Sequence, residues 1–307
     1  MRAAVIIEKG ALPLVREFPE PEPTEGAVLI DVDTAGLGGW DVLGAYRTGV
    51  EYPCVIRGEG VGRTDDGRRV YFGERSVVPF GSWAEKTLVP EAEVWDVPDH
   101  IDDKTAIAMG IAATGALVPL ETADIKPEET VLILGATGTL GQVALQLARH
   151  LGAGRVIAAA RNREALTRLK SSGMADEIVC LGSVNDVQAH KDAAGEGYDV
   201  VLDVVCGQPM LDALKATRWG ARIMTIGTVA GRQINLNMAD LLFRTLSTVG
   251  SGQWPPADRE KIWRRLLTIW QKQNIKVDHL EFNFDEATKA WQSQAAGPCA
   301  KITAKIR

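Results

Sequence analysis

One segment, residues 130–162, constrains the fold more than any other part of this chain. It reads TVLILGATGTLGQVALQLARHLGAGRVIAAARN. Residues 131–134 form a short, fully apolar run, which is typical of a strand buried on both faces of a parallel sheet. A glycine-containing turn, residues 135–141, leads into apolar positions at helical spacing, and a second apolar run follows at residues 156–160. Strand, turn, helix and strand within about thirty residues predict a βαβ unit.

The turn before the helix has the glycine spacing of a dinucleotide-binding site. Gly138 would let the backbone approach a pyrophosphate, and Gly141 would let the helix pack closely on the strand, with its N-terminus facing the phosphates. The strict pattern has glycine where this chain has Ala136, and a tight structural turn would also account for the glycines alone. The complete βαβ unit favours the dinucleotide site. We therefore assign cofactor contacts to Thr137, Gly138, Thr139 and Leu140.

The end of the second strand predicts which dinucleotide binds. An NAD site usually has Asp or Glu about twenty residues beyond the glycines, on the ribose hydroxyl. Here Arg161, Asn162 and Arg163 follow the strand, and the first carboxylate comes after them. Two guanidinium groups can bind a 2′-phosphate. We therefore predict NADPH rather than NADH, with contacts from all three residues; arginines exposed at a helix start are the alternative explanation.

Composition and charge argue against several classes of function. A chain of 307 residues, 46% hydrophobic and 24% charged, is typical of a soluble globular protein of about two domains. The formal net charge of -6 gives no reason to expect nucleic acid or an anionic membrane surface as a partner. The four cysteines and four histidines are dispersed, without the spacing of disulfide frameworks or metal sites. No signal peptide or spanning helix is apparent at the start, and we expect a cytoplasmic protein.

The pattern of elements changes twice along the chain. Residues 1–100 contain many short strand-like segments with glycine turns, which predict a barrel-like β domain. Strands and helices then alternate, which predicts a doubly wound parallel sheet. Beyond this region the chain ends in the strand-like segment 300–306. We expect this tail to return to the first domain, so that residues 1–117 and 252–307 form one domain and residues 118–251 the cofactor domain.

Two strands of the cofactor domain matter for the site. Residues 198–205 have the apolar pattern of a strand, and residues 222–226 form another strand after a turn at residues 219–220. Ligands of a doubly wound sheet bind beyond the carboxyl ends of such strands. We therefore expect the substrate to lie where these carboxyl ends meet the first domain.

A series of motifs in order along the chain resembles a known family. These are residues 1–3, 67–70 with 81–85, 135–141, 198–203, 220–223 with 226–227, 284–287, and 297–298 before 301–302. The chain resembles the medium-chain dehydrogenase/reductase superfamily, and within it the zinc-free quinone oxidoreductase (zeta-crystallin-like) branch. The resemblance covers nearly all of the chain.

The resemblance implies a fold, a reaction and an assembly. The implied fold is α/β, a doubly wound parallel Rossmann sheet plus a discontinuous β-rich, barrel-like (GroES-like) catalytic domain. The implied reaction is the NADPH-dependent reduction of a small molecule in the cleft between the domains. A homodimer is also implied, and the apolar segment 248–250 is a candidate for pairing across a two-fold axis. Contacts to the nicotinamide end are implied for Val204, Val205, Ile226, Gly227, Ser251 and Gln253.

Departures from the family pattern concern the metal and the substrate. Zinc-dependent members have Cys at the position aligned with Gly38 and His at the position aligned with Gly58, beside the Glu matched by Glu59. Both ligands and the lobe that holds structural zinc are missing, so the resemblance implies a zinc-free protein with Glu59 as a hydrogen-bond acceptor. Many quinone reductases have Asn at the first of these positions. A Tyr near the adenosine and a Lys near the 2′-phosphate align with Leu181 and Ala165.

Without a metal, the reaction depends on holding C4 of the nicotinamide against an electron-poor carbon with water excluded. A quinone or an α,β-unsaturated carbonyl compound suits this chemistry, because conjugation spreads the developing negative charge onto oxygen. We predict a substrate pocket formed by Trp40, Tyr46 and Trp83, with Tyr46 or solvent as the proton donor. Two alternatives stay open: a zinc-free carbonyl reductase or alcohol dehydrogenase, and an NADPH-binding protein without catalytic activity.

Overall fold

The computed structural model describes residues 1–45, 50–250 and 254–307. In these residues the strands are β1 (Arg2–Ile6), β2 (Leu14–Glu17), β3 (Ala27–Leu37), β4 (Cys54–Val55), β5 (Gly60–Thr64), β6 (Arg69–Phe72), β7 (Lys86–Pro90), β8 (Val94–Asp96), β9 (Thr130–Leu134), β10 (Arg155–Ala160), β11 (Glu177–Cys180), β12 (Tyr198–Asp203), β13 (Thr217–Thr225), β14 (Thr245–Thr248), β15 (His279–Asn283) and β16 (Lys301–Lys305). The α-helices are α1 (Asp103–Ala108), α2 (Ile111–Thr122), α3 (Thr139–His150), α4 (Arg163–Ser171), α5 (Asp186–Ala194), α6 (Gly207–Leu214), α7 (Pro256–Gln273) and α8 (Ala287–Ala296). None of the helices described is both long and apolar enough to cross a membrane.

One compact unit comprises Met1–Ile111, Trp254–Trp270 and Val277–Arg307. It contains a mixed sheet of seven strands in the order β15-β16-β3-β5-β6-β8, with β7 paired to β3, and a smaller sheet in the order β2-β1-β4. In strand β3, buried Ile30 and Val32 alternate with the more exposed Asp31 and Asp33, as expected for a strand with one face in the core. The tail strand β16 pairs antiparallel with β3, which makes this unit discontinuous in sequence.

The second compact unit comprises Ala112–Gln253 and Gln271–Lys276. Its sheet has the order β11-β10-β9-β12-β13-β14, and every pair of neighbours is parallel. All five residues of β9 are buried, because helices cover both faces of a parallel sheet. From β9 the chain adds β10 and β11 on one side and then β12, β13 and β14 on the other, so the direction in which strands are added reverses between β9 and β12. The parallel sheet and the separate mixed and antiparallel sheets confirm the α/β fold class predicted from the sequence.

Two predicted boundaries in this sheet are wrong. Strand β12 ends at Asp203 rather than at residue 205, because the Asp203 carboxylate accepts hydrogen bonds from the backbone N–H groups of Val205 and Cys206 and so turns the chain. Trp219 and Gly220 lie inside β13 rather than in a turn before it. Gly220 has a φ of 83°, and the pairing of β12 with β13 is irregular between Tyr198 and Val200. The glycine therefore marks an irregularity within a strand.

Candidate functional site

The turn after β9 is fixed by the neighbouring strand. The backbone N–H groups of Gly135 and Ala136 both donate to the carbonyl oxygen of Ala159, at 2.9 and 3.1 Å. Gly135 has a φ of 81°, in the left-handed region that favours glycine. Ala136, which replaces the first glycine of the strict pattern, is completely buried. The hydrogen bonds to β10 thus hold one side of the turn, and the opposite side is left for other partners.

Helix α3 begins directly after this turn with no side chain as its cap. Gly138 is the N-cap residue, and it makes no side-chain capping hydrogen bond to the first turn of the helix. The first N–H groups of a helix have no intrahelical acceptor and carry the positive end of the helix dipole. Gly138, Thr139 and Leu140 are only half-buried, whereas Thr137 is buried. This helix start therefore has the free donors and the partial charge that bind a phosphate group.

The two glycines that flank the helix start have different physical roles. A Cβ atom on Gly141 would lie 2.4 Å from the carbonyl oxygen of Gly135, so the helix packs on the turn only because residue 141 has no side chain. A Cβ atom on Gly138 would lie 3.7 Å from the same oxygen, which is ordinary van der Waals contact, and φ of Gly138 is −74°. Packing within the protein therefore requires glycine at position 141 but does not require it at position 138.

The loop after β12 lies beside the turn after β9. A Cβ atom on Gly135 would lie 3.1 Å from a methyl carbon of Val205. The loop is held by Asp203, which is completely buried and also accepts a hydrogen bond from the Thr225 hydroxyl at 3.1 Å. Burial raises the pKa of Asp203 against the effect of these hydrogen bonds. The two adjoining loops follow the strands at which the sheet order reverses, which is where doubly wound sheets bind their ligands.

Gly227 and Ile226 follow β13 at the same edge of the sheet. A Cβ atom on Gly227 would lie 2.0 Å from the carbonyl oxygen of Val204, so the close approach of the two loops requires glycine here. Ile226 donates its backbone N–H to the carbonyl oxygen of Asp203 at 2.9 Å. The predicted contacts Val204, Val205, Ile226 and Gly227 are therefore brought together. Ser251 and Gln253, the other two, lie outside the described residues.

The arginines that follow β10 are exposed at the same edge of the sheet. Neither Arg161 nor Arg163 makes an ion pair in the part of the chain that the structure describes. Asn162 accepts a hydrogen bond from the backbone N–H of Ala165 at 3.0 Å and is thus the N-cap of α4. Glu164 pairs with Arg168 one helical turn later, at 3.1 Å. The two guanidinium groups are available for an anion, and the nearest carboxylate is already paired.

In the other unit, a buried carboxyl group lies at the end of β3. The side chain of Asp41 is 6% exposed and accepts a hydrogen bond from the backbone N–H of Gly38 at 2.8 Å. Burial and the nearby charge of Glu74 raise the pKa of Asp41 to about 7. Asp41 is also the first residue of a short π-helical segment, Asp41–Ala45. Such segments are frequent at functional sites.

Glu59 forms the centre of a buried polar cluster in this unit. One carboxylate oxygen accepts from the Lys301 ammonium at 2.5 Å, and the other from the Tyr71 hydroxyl at 2.7 Å and from the backbone N–H of Ile111 at 3.1 Å. Lys301 and Tyr71 are almost completely buried. Glu59 is thus the hydrogen-bond acceptor that was predicted from the sequence, and Lys301 is its charge partner.

Two of the three residues predicted to form a substrate pocket are described, and they are placed very differently. The side chain of Trp40, which precedes Asp41, is 59% exposed. Trp83 is completely buried in the core of its unit, and its indole N–H donates to the carbonyl oxygen of Gly36 at 3.0 Å. This placement does not favour a pocket role for Trp83, which stays a prediction. Tyr46 lies outside the described residues.

Comparisons with known proteins agree with this arrangement. A family model described as "Zinc-binding dehydrogenase" matches residues 139–268. Quinone oxidoreductase-like protein 2 of Rattus norvegicus is 29% identical over 266 residues, which cover 81% of this chain and 74% of that protein. The solved quinone oxidoreductase of Thermus thermophilus, whose structures include its complex with NADPH, is 28% identical, with a TM-score of 0.78 and 100% of both chains covered.

The family model, these relatives and the solved structures together support the medium-chain dehydrogenase/reductase superfamily, and within it the quinone oxidoreductase-like branch. This confirms the family predicted from the sequence. Another relative is acryloyl-coenzyme A reductase of Metallosphaera sedula, which is 28% identical over 284 residues, covering 80% of this chain and 82% of that protein.

The positions aligned with zinc ligands of the superfamily have no side chains here. Gly58 has a φ of 38°, and a Cβ atom on it would lie 2.4 Å from the carbonyl oxygen of Gly36 and 2.7 Å from the Ser82 hydroxyl oxygen. A ligand side chain at position 58 would therefore require the backbone to move. Within the described ranges, no group of three or more His, Cys, Asp and Glu side chains could hold a metal ion.

Sequence reasoning missed the roles of two carboxylates. Asp203 shapes the loop beside the cofactor turn, and its only local signal is a carboxylate at the end of an apolar strand. Asp41 follows Gly38, Gly39 and Trp40 after the end of β3, and nothing in this local sequence signals that its carboxyl group is buried. In both cases the role depends on burial, which a local pattern does not report.

Proposed function

We propose that this chain is an NADPH-dependent oxidoreductase that reduces a quinone or an α,β-unsaturated carbonyl compound by hydride transfer without a metal ion. The observation that carries the proposal is a combination of three features at the carboxyl ends of the parallel strands. There, an uncapped helix start, a glycine that packing does not require, and two arginines without an ion pair among the described residues occur in one βαβ unit.

The residues at this edge fit NADPH. The helix start at Gly138 and Thr139 would hold the pyrophosphate, and Arg161 and Arg163 would hold the 2′-phosphate that distinguishes NADPH from NADH. Bound NADPH supplies the hydride of the reaction. The complex of the Thermus thermophilus quinone oxidoreductase with NADPH supports the same assignment for this relative of that enzyme.

Two relatives support the proposed class of substrate. One is named quinone oxidoreductase and the other acryloyl-coenzyme A reductase. A quinone and an acryloyl thioester both have a carbon–carbon double bond conjugated to a carbonyl group. Hydride addition to such a compound gives a delocalised oxyanion that then takes up one proton. The exposed ring of Trp40 offers an apolar face for the conjugated part of the substrate.

The proton has a candidate donor among the described residues. A carboxyl group with a pKa of about 7, as for Asp41, holds a proton in a large fraction of molecules at neutral pH. We propose Asp41 as the proton donor to the reduced substrate. Tyr46 and solvent, the two donors predicted from the sequence, remain the alternatives.

The cluster at Glu59 supports a reaction without zinc. In the superfamily this Glu lies beside the zinc ligands, and here both of its oxygens are already occupied by Lys301, Tyr71 and the backbone of Ile111. A divalent cation near Glu59 would have to share this space with the Lys301 ammonium. We therefore propose that metal chelators leave the activity unchanged.

The homodimer remains part of the proposal, and an exposed aromatic pair supports it. Trp219 and Phe243 stack with ring centroids 4.9 Å apart and are 77% and 56% exposed. Both lie next to β14, which is the last strand of the parallel sheet as described and has its outer edge unpaired. An exposed apolar pair beside a free strand edge fits pairing with a second copy of this chain.

The test combines binding with turnover. Isothermal titration of the chelator-treated protein with NADPH and with NADH measures the cofactor preference. Steady-state rates with a quinone, an enone, an acryloyl thioester and a simple ketone then measure the substrate class. We expect preference for NADPH and turnover of the conjugated compounds. Turnover of the ketone alone would favour a carbonyl reductase, and NADPH binding without any turnover would favour a binding protein; either result would overturn the proposal.

A further inference from the structure

Lys301 is an unusual residue to find in the core of this unit. Its side chain is 2% exposed, and it begins strand β16. A buried ammonium group is strongly unfavourable unless a partner compensates its charge. The Glu59 carboxylate is that partner, at 2.5 Å, and it is itself almost completely buried.

The surroundings of Glu59 hold the ammonium in one place. Three further donors converge on this residue. Tyr71 and the backbone of Ile111 donate to its carboxylate, and the N–H of Gly36 donates to its carbonyl oxygen at 2.7 Å. Glu59 is thus bound to β3, β6 and the start of α2, and Lys301 adds β16. The ion pair has little freedom to rearrange.

The register of the sheet places Lys301 at the carboxyl end of β3. Ile302 and Leu37 are the last antiparallel pair of the two strands, so Lys301 and Gly38 each lie one residue beyond this pair. The backbone N–H of Gly38 donates to the Asp41 carboxylate at 2.8 Å. The buried cation and the proposed proton donor therefore both lie at Gly38.

Among the described residues, the charged groups that act most strongly on Asp41 are Lys301 from β16, Glu59 from the segment before β5, and Glu74 from the segment after β6. Helix α8 also packs on the segment of Asp41, but its one titratable side chain, Lys289, is 71% exposed and pairs with Glu286 at 2.9 Å. Burial raises the pKa of Asp41 most, Glu74 and more weakly Glu59 raise it further, and Lys301 lowers it.

We propose that Lys301 is a positioning residue for Asp41: its buried ammonium, held by Glu59 at the carboxyl end of β3, acts against the charge of Glu74 to set the fraction of Asp41 that carries a proton at neutral pH. The link to catalysis rests on the proposed function, in which Asp41 donates the proton. Lys301 does not contact the substrate and acts only through Asp41.

The test uses two variants that should shift the same group in opposite directions. The Asp41 carboxyl is followed by ¹³C NMR in the full-length protein without cofactor, with Asp41→Asn to assign the signal. Lys301→Met should raise the titration midpoint by about one pH unit, and Glu74→Gln should lower it by a similar amount. Lys289→Met is the matched control and should leave the midpoint unchanged.

Two further measurements keep the proposal falsifiable. If Lys301→Met does not fold, the double variant Lys301→Met with Glu59→Gln removes both buried charges and should still shift the midpoint upward, by less than the single change. A folded variant without Lys301 in which the midpoint does not move would overturn the proposal. The pH dependence of kcat/KM in the same variants separates the two ideas: if the NMR midpoint moves and the rate profile does not, Lys301 controls Asp41 as proposed, and the donor role of Asp41 is wrong.

Discussion

Gly141 packs directly against the carbonyl oxygen of Gly135, from which a Cβ atom on residue 141 would be only 2.4 Å away. Three residues earlier, Gly138 has space for a methyl group as far as the protein itself is concerned. The same turn therefore contains one glycine required for packing and one that we assign to the cofactor.

The two glycines should respond differently to alanine. We expect Gly141→Ala to destabilise the fold by about 1–3 kcal/mol, because the helix must move away from the turn. Gly138→Ala should lower the stability by less than about 1 kcal/mol, as expected for a changed N-cap, but weaken NADPH binding at least tenfold. Thermal unfolding and titration calorimetry of both variants measure this difference. Equal NADPH affinity in Gly138→Ala and the wild type would contradict the assignment.

The arginines after β10 should decide between the two dinucleotides. Arg161→Ala should weaken NADPH binding by about 10- to 100-fold, since a charge-assisted hydrogen bond contributes about 1.5–3 kcal/mol, and should leave NADH binding nearly unchanged. Arg163→Ala should act in the same direction. Arg168→Ala is the matched control, because Arg168 is an exposed arginine on α4 that already pairs with Glu164. Loss of NADH and NADPH affinity to the same extent would show that Arg161 does not read the 2′-phosphate.

The aromatic pair beside β14 should control assembly. Replacing Trp219 by Glu places a charge in the proposed interface and should convert a dimer to a monomer in sedimentation velocity. Val184→Glu serves as the control, because Val184 is a single exposed apolar residue away from this pair. A wild-type protein that sediments as a monomer at all concentrations would end the proposal of a homodimer.

A buried histidine should make the cofactor unit sensitive to acid. Burial lowers the pKa of His190 from 6.5 to about 4, against the opposing charges of Asp186 and Asp212. The unfolded chain therefore binds a proton before the folded one does, and stability should fall as pH decreases from about 6.5 to about 4, by up to about 3 kcal/mol. In His190→Gln this part of the pH dependence should be absent. Denaturant unfolding of both proteins at several pH values tests it, and identical slopes would contradict the mechanism.

Much of the cofactor unit could be predicted because its pattern is local. The apolar run of β9, the glycines of the turn and the apolar face of α3 follow one another within a short segment, so periodicity alone identified them. Boundaries were less predictable. The end of β12 depends on Asp203 accepting hydrogen bonds from the next loop, and nothing in the hydrophobic pattern distinguishes residue 204 from the strand before it.

The substrate side was less predictable, because its residues are assembled from distant parts of the chain. Trp83 was expected in a pocket and lies in the core, since the exposure of an aromatic ring depends on what packs against it. Asp41 looked like an ordinary loop carboxylate. Burial and the nearby charge of Glu74 raise its pKa toward neutrality, against the effect of Lys301.

The sequence by itself determined the βαβ unit, the family and the residue types offered to the cofactor, because hydrophobic period, glycine spacing and strand-end charges are properties of short segments. The tertiary structure alone decided which groups meet. Lys301 and Glu59 are 242 positions apart, yet their ion pair lies at the end of β3 because β16 returns to pair with that strand. Burial and contacts between distant segments also shift the pKa of Asp41, and neither is encoded in any one segment.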